Sequence, residues 1–246
     1  LQQASLKKNI TRYLERAQQV AVLSATAKDE VLRYAPGAKN KVVQLEAAVS
    51  SLYHPMDWEE REAAKKKYAG GVEYFLVTGS IHPRNNIMPV LKAFSALKKR
   101  QRTNLKLLLA GSLTTPGAEI IKSLESFRFR QDVLWLENLD EAQLAAVTGA
   151  AYALIYPPRF DGLALPVYAA KRCQVPVIAL EGLAAREAGG DAVLYTDPAN
   201  VDDLAEKMSL LYKDEQLRSR LLAKEAPGKV AVSWDLAAKR FWDLIM

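Results

Sequence analysis

The most constraining feature of this sequence is an alternation, from residue 74 onward, of short apolar runs with helix-like segments. The runs "YFLVT" and "LKLLLAG" are typical of strands that are buried on both faces, and the runs "VLWLENL" and "YALIYPP" also predict strands. Between them, segments such as residues 89–100 place apolar side chains on one helical face. This alternation predicts an α/β protein with a Rossmann-like, doubly wound and mostly parallel sheet that is covered by helices on both sides.

Composition excludes several classes of protein. The single cysteine, Cys173, cannot form an internal disulfide, and the two histidines lie far apart, which argues against a structural zinc site. No apolar run approaches the about 20 residues that a membrane-spanning helix needs. The net charge of +6 suits phosphate-bearing ligands or an acidic membrane surface, although ordinary solvated surface charge is the favoured explanation. The basic residues are dispersed, so we expect no nucleic-acid partner.

The loop after "YALIYPP" is the first place where the sequence predicts a ligand. Ligands of doubly wound sheets bind beyond the carboxyl ends of the strands. Gly162 gives this loop conformational freedom, and Pro166 is suited to the first turn of the following helix. The N–H groups of Leu163, Ala164 and Leu165 and the helix dipole then favour an anion such as a diphosphate. A tight strand-to-helix turn without a ligand explains the same residues.

The loop "GSIHPRNN" after the strand "YFLVT" is the second such place. It starts at Gly79 and carries Arg84, a fixed positive charge suited to phosphate. His82 is either a ligand contact or a bystander. Asn85 or Asn86 is a candidate for capping the next helix.

Four segments in their order and spacing resemble a known family. They are "YFLVTGSIHPRNNIMPVLKAFSAL", "LKLLLAG", "LDEAQLAAVTGAAYALIYPPRFDGLALPVYAAKRCQVPVIAL" and "GGDAVLYTDPANVDDLAEKM". Together they resemble the nucleotide-sugar-binding half of the retaining glycosyltransferases of the GT4 group, which are two-domain GT-B enzymes. The resemblance covers about residues 20–242. It implies that residues 1–55 are a remnant of the acceptor-side domain with a linker, and that residues 56–246 are the nucleotide-sugar-binding domain with C-terminal helices.

The resemblance also assigns roles to the first loop. The family's Glu-x7-Glu pattern falls on Asp161 and Ala169. Asp161 is thereby expected to contact the donor sugar and to act in catalysis. The backbone of Gly162, Leu163, Ala164 and Leu165 is expected to meet the sugar and the diphosphate. Ala169 replaces the carboxylate that accepts hydrogen bonds from the ribose.

In the other loops the resemblance implies contacts to the diphosphate and the base. Gly79, Arg84 and Asn85 would face the diphosphate, with Arg84 catalytic and Asn85 in place of the family's lysine. The nucleotide base is expected beside the next loop, whose residues are Glu137, Asn138 and Leu139. Gln174 replaces a family glycine. Residues proposed to substitute for the missing groups are Lys92, Lys171 and Arg172 for the charge and Glu187 for the carboxylate.

The expected function is transfer of a sugar, with retention, from a nucleotide-diphosphate sugar to an unknown acceptor that is a glycan, a lipid or a small molecule. The resemblance implies no metal and no cofactor beyond this donor substrate. It places the protein in the cytoplasm and leaves open peripheral association with the inner face of the membrane. The alternative is a degenerate relative that binds a ligand or partner without transfer, which the replacements at Asn85 and Ala169 motivate.

Overall fold

The structure is a computed structural model that describes residues 2–45, 47–158, 162–198, 200–224 and 234–246. Its helices and strands are, in chain order, α1 (Gln2–Arg16), β1 (Val20–Val22), α2 (Ala25–Tyr34), β2 (Val42–Gln44), α3 (Trp58–Ala69), β3 (Tyr74–Thr78), α4 (Ile87–Gln101), β4 (Lys106–Ala110), α5 (Ala118–Glu125), β5 (Val133–Leu136), α6 (Glu141–Gly149), β6 (Ala153–Tyr156), α7 (Leu165–Arg172), β7 (Val177–Leu180), α8 (Leu183–Gly189), β8 (Val193–Thr196), α9 (Val201–Lys213), α10 (Glu215–Ala223) and α11 (Trp234–Ile245).

The chain forms two compact units, one from residues 1–50 with 231–246 and the other from residues 51–230. In the first unit β1 and β2 pair in parallel, with Val20 opposite Val42. Val22, Ala38 and Val42 form its small apolar core. These two units are defined by contacts within the structure. The division at residue 55 that the family resemblance implies is a different one, since it assigns each segment to a domain of the two-domain GT-B enzymes. That division stays a prediction.

The second unit contains a six-stranded sheet in the order β5-β4-β3-β6-β7-β8, and its neighbouring strands are all parallel. The chain enters at β3, runs outward to β5, returns to β6 beside β3 and then runs outward to β8. This is the strand order of a doubly wound Rossmann-like fold, so the predicted fold class is confirmed. The direction of winding reverses between β3 and β6.

The apolar runs form strands because they fill the space between two helical layers. Tyr74, Phe75 and Leu76 of β3 are fully buried, which agrees with a strand covered on both faces. Cys173 is also buried, as is usual for a free cysteine. On one side of the sheet, α4 and α9 share the main core cluster with β3 and β4; their buried members are Val90, Leu91, Ala93, Phe94, Leu97, Leu204, Ala205, Met208 and Leu211.

Several helix starts follow from capping residues that the sequence predicts. The Asp57 side chain accepts from the Glu60 N–H at 2.8 Å, and Asp140 accepts from the Gln143 N–H at the same distance. Both form reciprocal capping boxes, which satisfy two backbone donors at once. Ser24 caps α2 in the expected way.

The end of α7 differs from the prediction. The apolar run "VPVIAL" predicts a strand over residues 175–180, but β7 begins at Val177, because the Val175 N–H donates to the Ala170 carbonyl at 2.9 Å and belongs to the end of the helix. Gln174, which stands where the family resemblance expects glycine, has a φ of 55° in the left-handed region. That conformation explains the family's glycine and strains glutamine.

Within the described part of the chain, no helix combines the length and the apolar character that crossing a membrane requires.

Candidate functional site

The reversal of strand order places two loops at one crevice. The loops after β3 and β6 leave neighbouring strands at the same edge of the sheet. Because crossovers between parallel strands are right-handed, α4 and α7 cover opposite faces, and the two loops separate above the sheet. Such a switch point is where doubly wound domains bind ligands. The structure therefore brings together the two loops that the sequence singled out.

The loop after β3 is shaped by glycines. Gly79 has a φ of 115°, which side-chain-bearing residues rarely adopt. A Cβ added at Gly111 would lie 1.9 Å from the Gly79 carbonyl oxygen, and one added at Gly117 would lie 1.9 Å from the Ile81 carbonyl oxygen. The loop after β3 thus rests directly on the backbone of the loop after β4. Both supporting positions must be glycine for this contact.

Two polar side chains of the loop after β3 form hydrogen bonds to the backbone of the same loop. His82 Nδ1 accepts from the Arg84 N–H at 3.0 Å, and Asn85 Nδ2 donates to the Ser80 carbonyl at 2.8 Å. The guanidinium of Arg84 is exposed and makes no ion pair or hydrogen bond with the part of the chain that the structure describes. Arg84 is therefore the cation that this loop presents, while His82 and Asn85 hold its shape.

Asn86 links the two loops. Its Nδ2 donates to the Pro157 carbonyl, directly after β6, at 3.0 Å. The proposal that Asn85 or Asn86 caps α4 with its side chain is wrong: Asn86 is the residue before the helix, but its backbone is left-handed and its side chain makes no capping bond. The amide reaches away from the helix and across the crevice instead.

The loop after β6 is described at Pro157 and Pro158 and again from Gly162 onward. Asp161, the predicted catalytic carboxylate, lies outside the described residues. Gly162 is exposed, and Ala164 has φ −70° and ψ 59°, the conformation at the centre of an inverse γ-turn. The Leu165 N–H donates to the Leu163 carbonyl at 2.6 Å, so this conformation already uses one of the three predicted anion donors. The binding roles of these residues stay predictions.

Ala169 lies on α7 one turn after this loop. It is 7% exposed, and its neighbours Val167 and Ala170 are fully buried. An alanine methyl offers no hydrogen-bond acceptor. The family's ribose contact thus has no counterpart at this position.

The residues proposed as substitutes are mostly engaged elsewhere. Lys171 Nζ donates to the Ala188 carbonyl at 3.0 Å, and Arg172 Nε donates to the Tyr53 carbonyl at 2.8 Å, both at the end of α7 away from the β6 loop. Lys92 lies midway along α4 and lines a separate outer cleft. A role of Lys92, Lys171 or Arg172 at the diphosphate stays a prediction.

Glu187 on α8 lies near α7. Burial raises the pKa of Tyr168, and the charge of Glu187 raises it further. Because Tyr168 precedes Ala169 in the helix, Glu187 is the proposed substitute that the structure places on the same part of α7. Its contact with a ribose stays a prediction.

The residues expected beside the base follow the edge strand β5. The Leu113 N–H donates to Glu137 Oε1 at 3.3 Å, Asn138 has a left-handed φ of 57°, and Leu139 is partly buried. Trp135 donates its indole N–H to the Gly111 carbonyl at 2.9 Å, which agrees with a packing role. This loop starts two strands from β3, or about 10 Å away, so a nucleoside would have to reach that far from a diphosphate at the switch point.

A cleft of about 300 Å³ lies beside the β3 loop, between the starts of α4 and α5. Its volume is at the lower end of ligand pockets. Its lining residues are Pro83, Asn86, Met88, Pro89, Pro116, Glu119, Ile120 and Ser123. Among the described residues, no group of three or more His, Cys, Asp or Glu side chains is arranged to hold a metal ion.

The fold is a doubly wound α/β domain, and an exposed arginine, Arg84, lies in one of the two loops at its switch point. The model of the family "Glycosyl transferases group 1" matches residues 59–226, which is more than half of the chain, and the chain belongs to this family. This confirms the resemblance to group 1 glycosyltransferases.

Curated relatives and solved structures agree with this assignment. The chain is 25% identical over 231 residues to the O-antigen chain mannosyltransferase B of Escherichia coli, covering 94% of the chain and 61% of that protein. It is 26% identical to the serotype-specific mannosyltransferase WbdA of Escherichia coli over 94% of the chain and 29% of that protein. The chain thus spans less than two thirds of the length of these relatives, 61% of the first and 29% of the second.

Among solved structures, Anabaena HepE in complex with UDP and glucose superposes with a TM-score of 0.82. The sequences are 14% identical, and the match covers 100% of this chain and 67% of that one. At this identity the likeness shows the fold, which is the Rossmann-like half of a GT-B architecture.

Proposed function

We propose that this chain is the donor-binding part of a glycosyltransferase that moves a mannosyl residue, with retention, from a nucleotide-diphosphate sugar to a growing glycan. Family membership supports the reaction class. The mannosyl group and the glycan acceptor are suggested by the relatives, which are named as mannosyltransferases of O-antigen chains. The expected cytoplasmic location, with access to the membrane face where an acceptor is carried, belongs to this proposal.

The observation that carries the proposal is the position of Arg84. It is an exposed cation at the switch point, and the start of α7 follows the neighbouring strand. A diphosphate between them meets a guanidinium on one side and a helix N-terminus on the other. In the reaction the same groups stabilise the negative charge that develops on the leaving diphosphate. The proposal assigns this neutralisation to the protein and needs no further cofactor.

We expect this chain to bind the ribose of the donor more weakly than the family does, because Ala169 replaces the glutamate. A hydrogen bond to a charged group contributes roughly 1.5–3 kcal/mol, so Ala169 forgoes about ten- to a hundredfold in affinity. The site thus relies on the diphosphate. We expect nucleoside diphosphates to bind at micromolar to millimolar concentration, with little preference between ribose and 2′-deoxyribose.

The test is calorimetric titration of the chain with UDP, GDP and ADP and with their mannose conjugates. Arg84→Ala should weaken the preferred ligand about ten- to a hundredfold, as expected for one charge-assisted contact. Arg100→Ala removes an exposed cation near the far end of α4 and serves as the matched control. Absence of binding by the unsubstituted chain, or an equal loss in both variants, would contradict the proposal.

The ribose contact is tested by Ala169→Glu, with Ala169→Gln as the uncharged control of similar size. If the pocket is otherwise intact, glutamate tightens ribonucleotide binding and restores a preference over the 2′-deoxy form. Binding without any transfer, in a chain joined to its acceptor domain, would instead favour the non-catalytic alternative that Asn85 and Ala169 motivate.

A further inference from the structure

Asn86 stands between the two loops of the candidate site. Its side-chain amide donates to the Pro157 carbonyl at 3.0 Å, although the two residues are 71 positions apart. Asn86 immediately precedes α4, and Pro157 immediately follows β6. The hydrogen bond therefore crosses the switch point and joins the loop that carries Arg84 to the loop that leads to α7.

The local structure of Asn86 is arranged for this contact and not for the helix it precedes. An asparagine before a helix usually has an extended backbone and accepts a hydrogen bond from the first turn. Asn86 has φ 50° and ψ 36° and makes no such bond. Asparagine tolerates the left-handed region better than most residues, and here that conformation turns the amide toward β6.

The acceptor side of the bond is stiff. Pro157 is buried and is followed by Pro158, and proline rings fix φ near −65°. A hydrogen bond to the Pro157 carbonyl consequently restrains the direction in which the chain leaves β6. On the donor side, the bond from Asn85 to Ser80 holds the loop around Arg84 in one shape.

We propose that Asn86 is a positioning residue of the donor site, whose hydrogen bond sets the separation between the Arg84 guanidinium and the backbone amides that begin α7. The inference rests on the proposed function, since it concerns the two groups to which the diphosphate is assigned. A diphosphate carries two phosphoryl groups and engages both sides of the crevice. A monophosphate needs only one side, so its binding is insensitive to their spacing.

The experiment compares Asn86→Gly and Asn86→Asp with the unsubstituted chain. Glycine accepts the left-handed backbone and removes the amide. Aspartate keeps the shape and replaces the donor with a carboxylate that cannot donate to a carbonyl. Arg102→Gly is the matched control, because Arg102 follows the same helix with a φ of 47° and lies away from the crevice.

Dissociation constants are measured by calorimetry for UDP and GDP and for UMP and GMP. Both Asn86 variants should weaken diphosphate binding about ten- to a hundredfold, as expected when two contacting groups lose their alignment. Monophosphate binding should change less than about twofold on the same argument. The Arg102 variant should match the unsubstituted chain for every ligand.

A double-mutant cycle separates positioning from general damage. If Asn86 acts through Arg84, adding Asn86→Gly to Arg84→Ala should cause little further loss, whereas independent effects would add. Equal losses for monophosphate and diphosphate, or full additivity, would overturn the positioning role while leaving the proposed function intact. No nucleotide binding by the unsubstituted chain would overturn the proposed function, and the role of Asn86 with it.

Discussion

Replacing Gly111 by alanine tests the backbone contact on which the Arg84 loop rests. The added Cβ would lie 1.9 Å from the Gly79 carbonyl oxygen, 2.6 Å from its carbonyl carbon and 3.3 Å from the Ser80 nitrogen. Real contacts of this kind stay above about 3 Å, so the two backbones must separate by about 1 Å. The obstruction is main chain, and no rotamer change relieves it.

Hydrogen bonds oppose that movement on both sides. The Gly79 N–H donates to the Ala110 carbonyl and the Gly111 N–H to the Leu136 carbonyl, each at 3.0 Å. The Gly111 carbonyl also accepts from the Trp135 indole at 2.9 Å. Overpacking costs typically 1–3 kcal/mol and each strained or lost hydrogen bond about 0.5–1.5 kcal/mol, so we expect Gly111→Ala to destabilise the unit by about 2–5 kcal/mol.

The assay is urea and thermal unfolding followed by circular dichroism. A loss of this size lowers Tm by about 5–15 °C for a unit of this length. Gly37→Ala is the control, because a Cβ there meets no atom within 4 Å. It should be neutral or slightly stabilising. A Gly111→Ala variant within about 0.5 kcal/mol of the unsubstituted chain would refute the reasoning, since surface substitutions change stability by that much.

Two other residues give testable predictions. Gln174→Gly should stabilise the protein by about 0.5–1 kcal/mol, because glycine adopts the left-handed φ of 55° without strain. The control Gln216→Gly in α10 should instead destabilise it by about 1 kcal/mol. Chemical unfolding that gives both changes the same sign would contradict this. Burial and, secondarily, the charge of Glu141 raise the pKa of Tyr53 from 10.0 to about 12. The folded state therefore keeps this proton longer than the unfolded state, and the free energy of unfolding should fall as pH rises from about 10 to 12. Tyr53→Phe should make that fall shallower, and an unchanged slope in urea titrations would show that Tyr53 does not contribute.

The sequence was sufficient for the elements whose cause is local. The strand β3 is predicted end to end because its run of apolar residues is continuous, and the caps at Asp57 and Asp140 follow from side chains that reach backbone donors three residues away. These features need no knowledge of which distant segments touch.

The parts that sequence reasoning missed depend on contacts between distant segments. Glycines follow β3 and β4 in the sequence, but only the paired strands show that Gly111 must admit the Gly79 carbonyl. The sequence does not predict the hydrogen bond from the Asn86 amide to the Pro157 carbonyl, since Pro157 lies in another loop. A helix-capping interpretation was the natural one for an asparagine at that position. The beginning of β7 was misplaced because Val175 closes α7 through a bond that hydrophobicity does not encode.

The two departures from the family motif have different physical consequences. At position 85 an asparagine replaces the family's lysine, so a positive charge is lost. The asparagine side chain donates to the Ser80 carbonyl and thereby holds the loop around Arg84 in one shape. At position 169 the family's carboxylate is replaced by a methyl group, which is buried but makes no polar contact. Under the proposed function, the first change leaves Arg84 as the cation for the diphosphate, and binding should then depend on its position, which we propose that Asn86 sets. The second removes a contact that distinguishes a nucleotide from other diphosphates. If the proposed donor site is altered in both ways, we expect it to recognise its ligand mainly through the spacing of two phosphoryl groups. Selectivity for the nucleoside would then depend on the loop after β5.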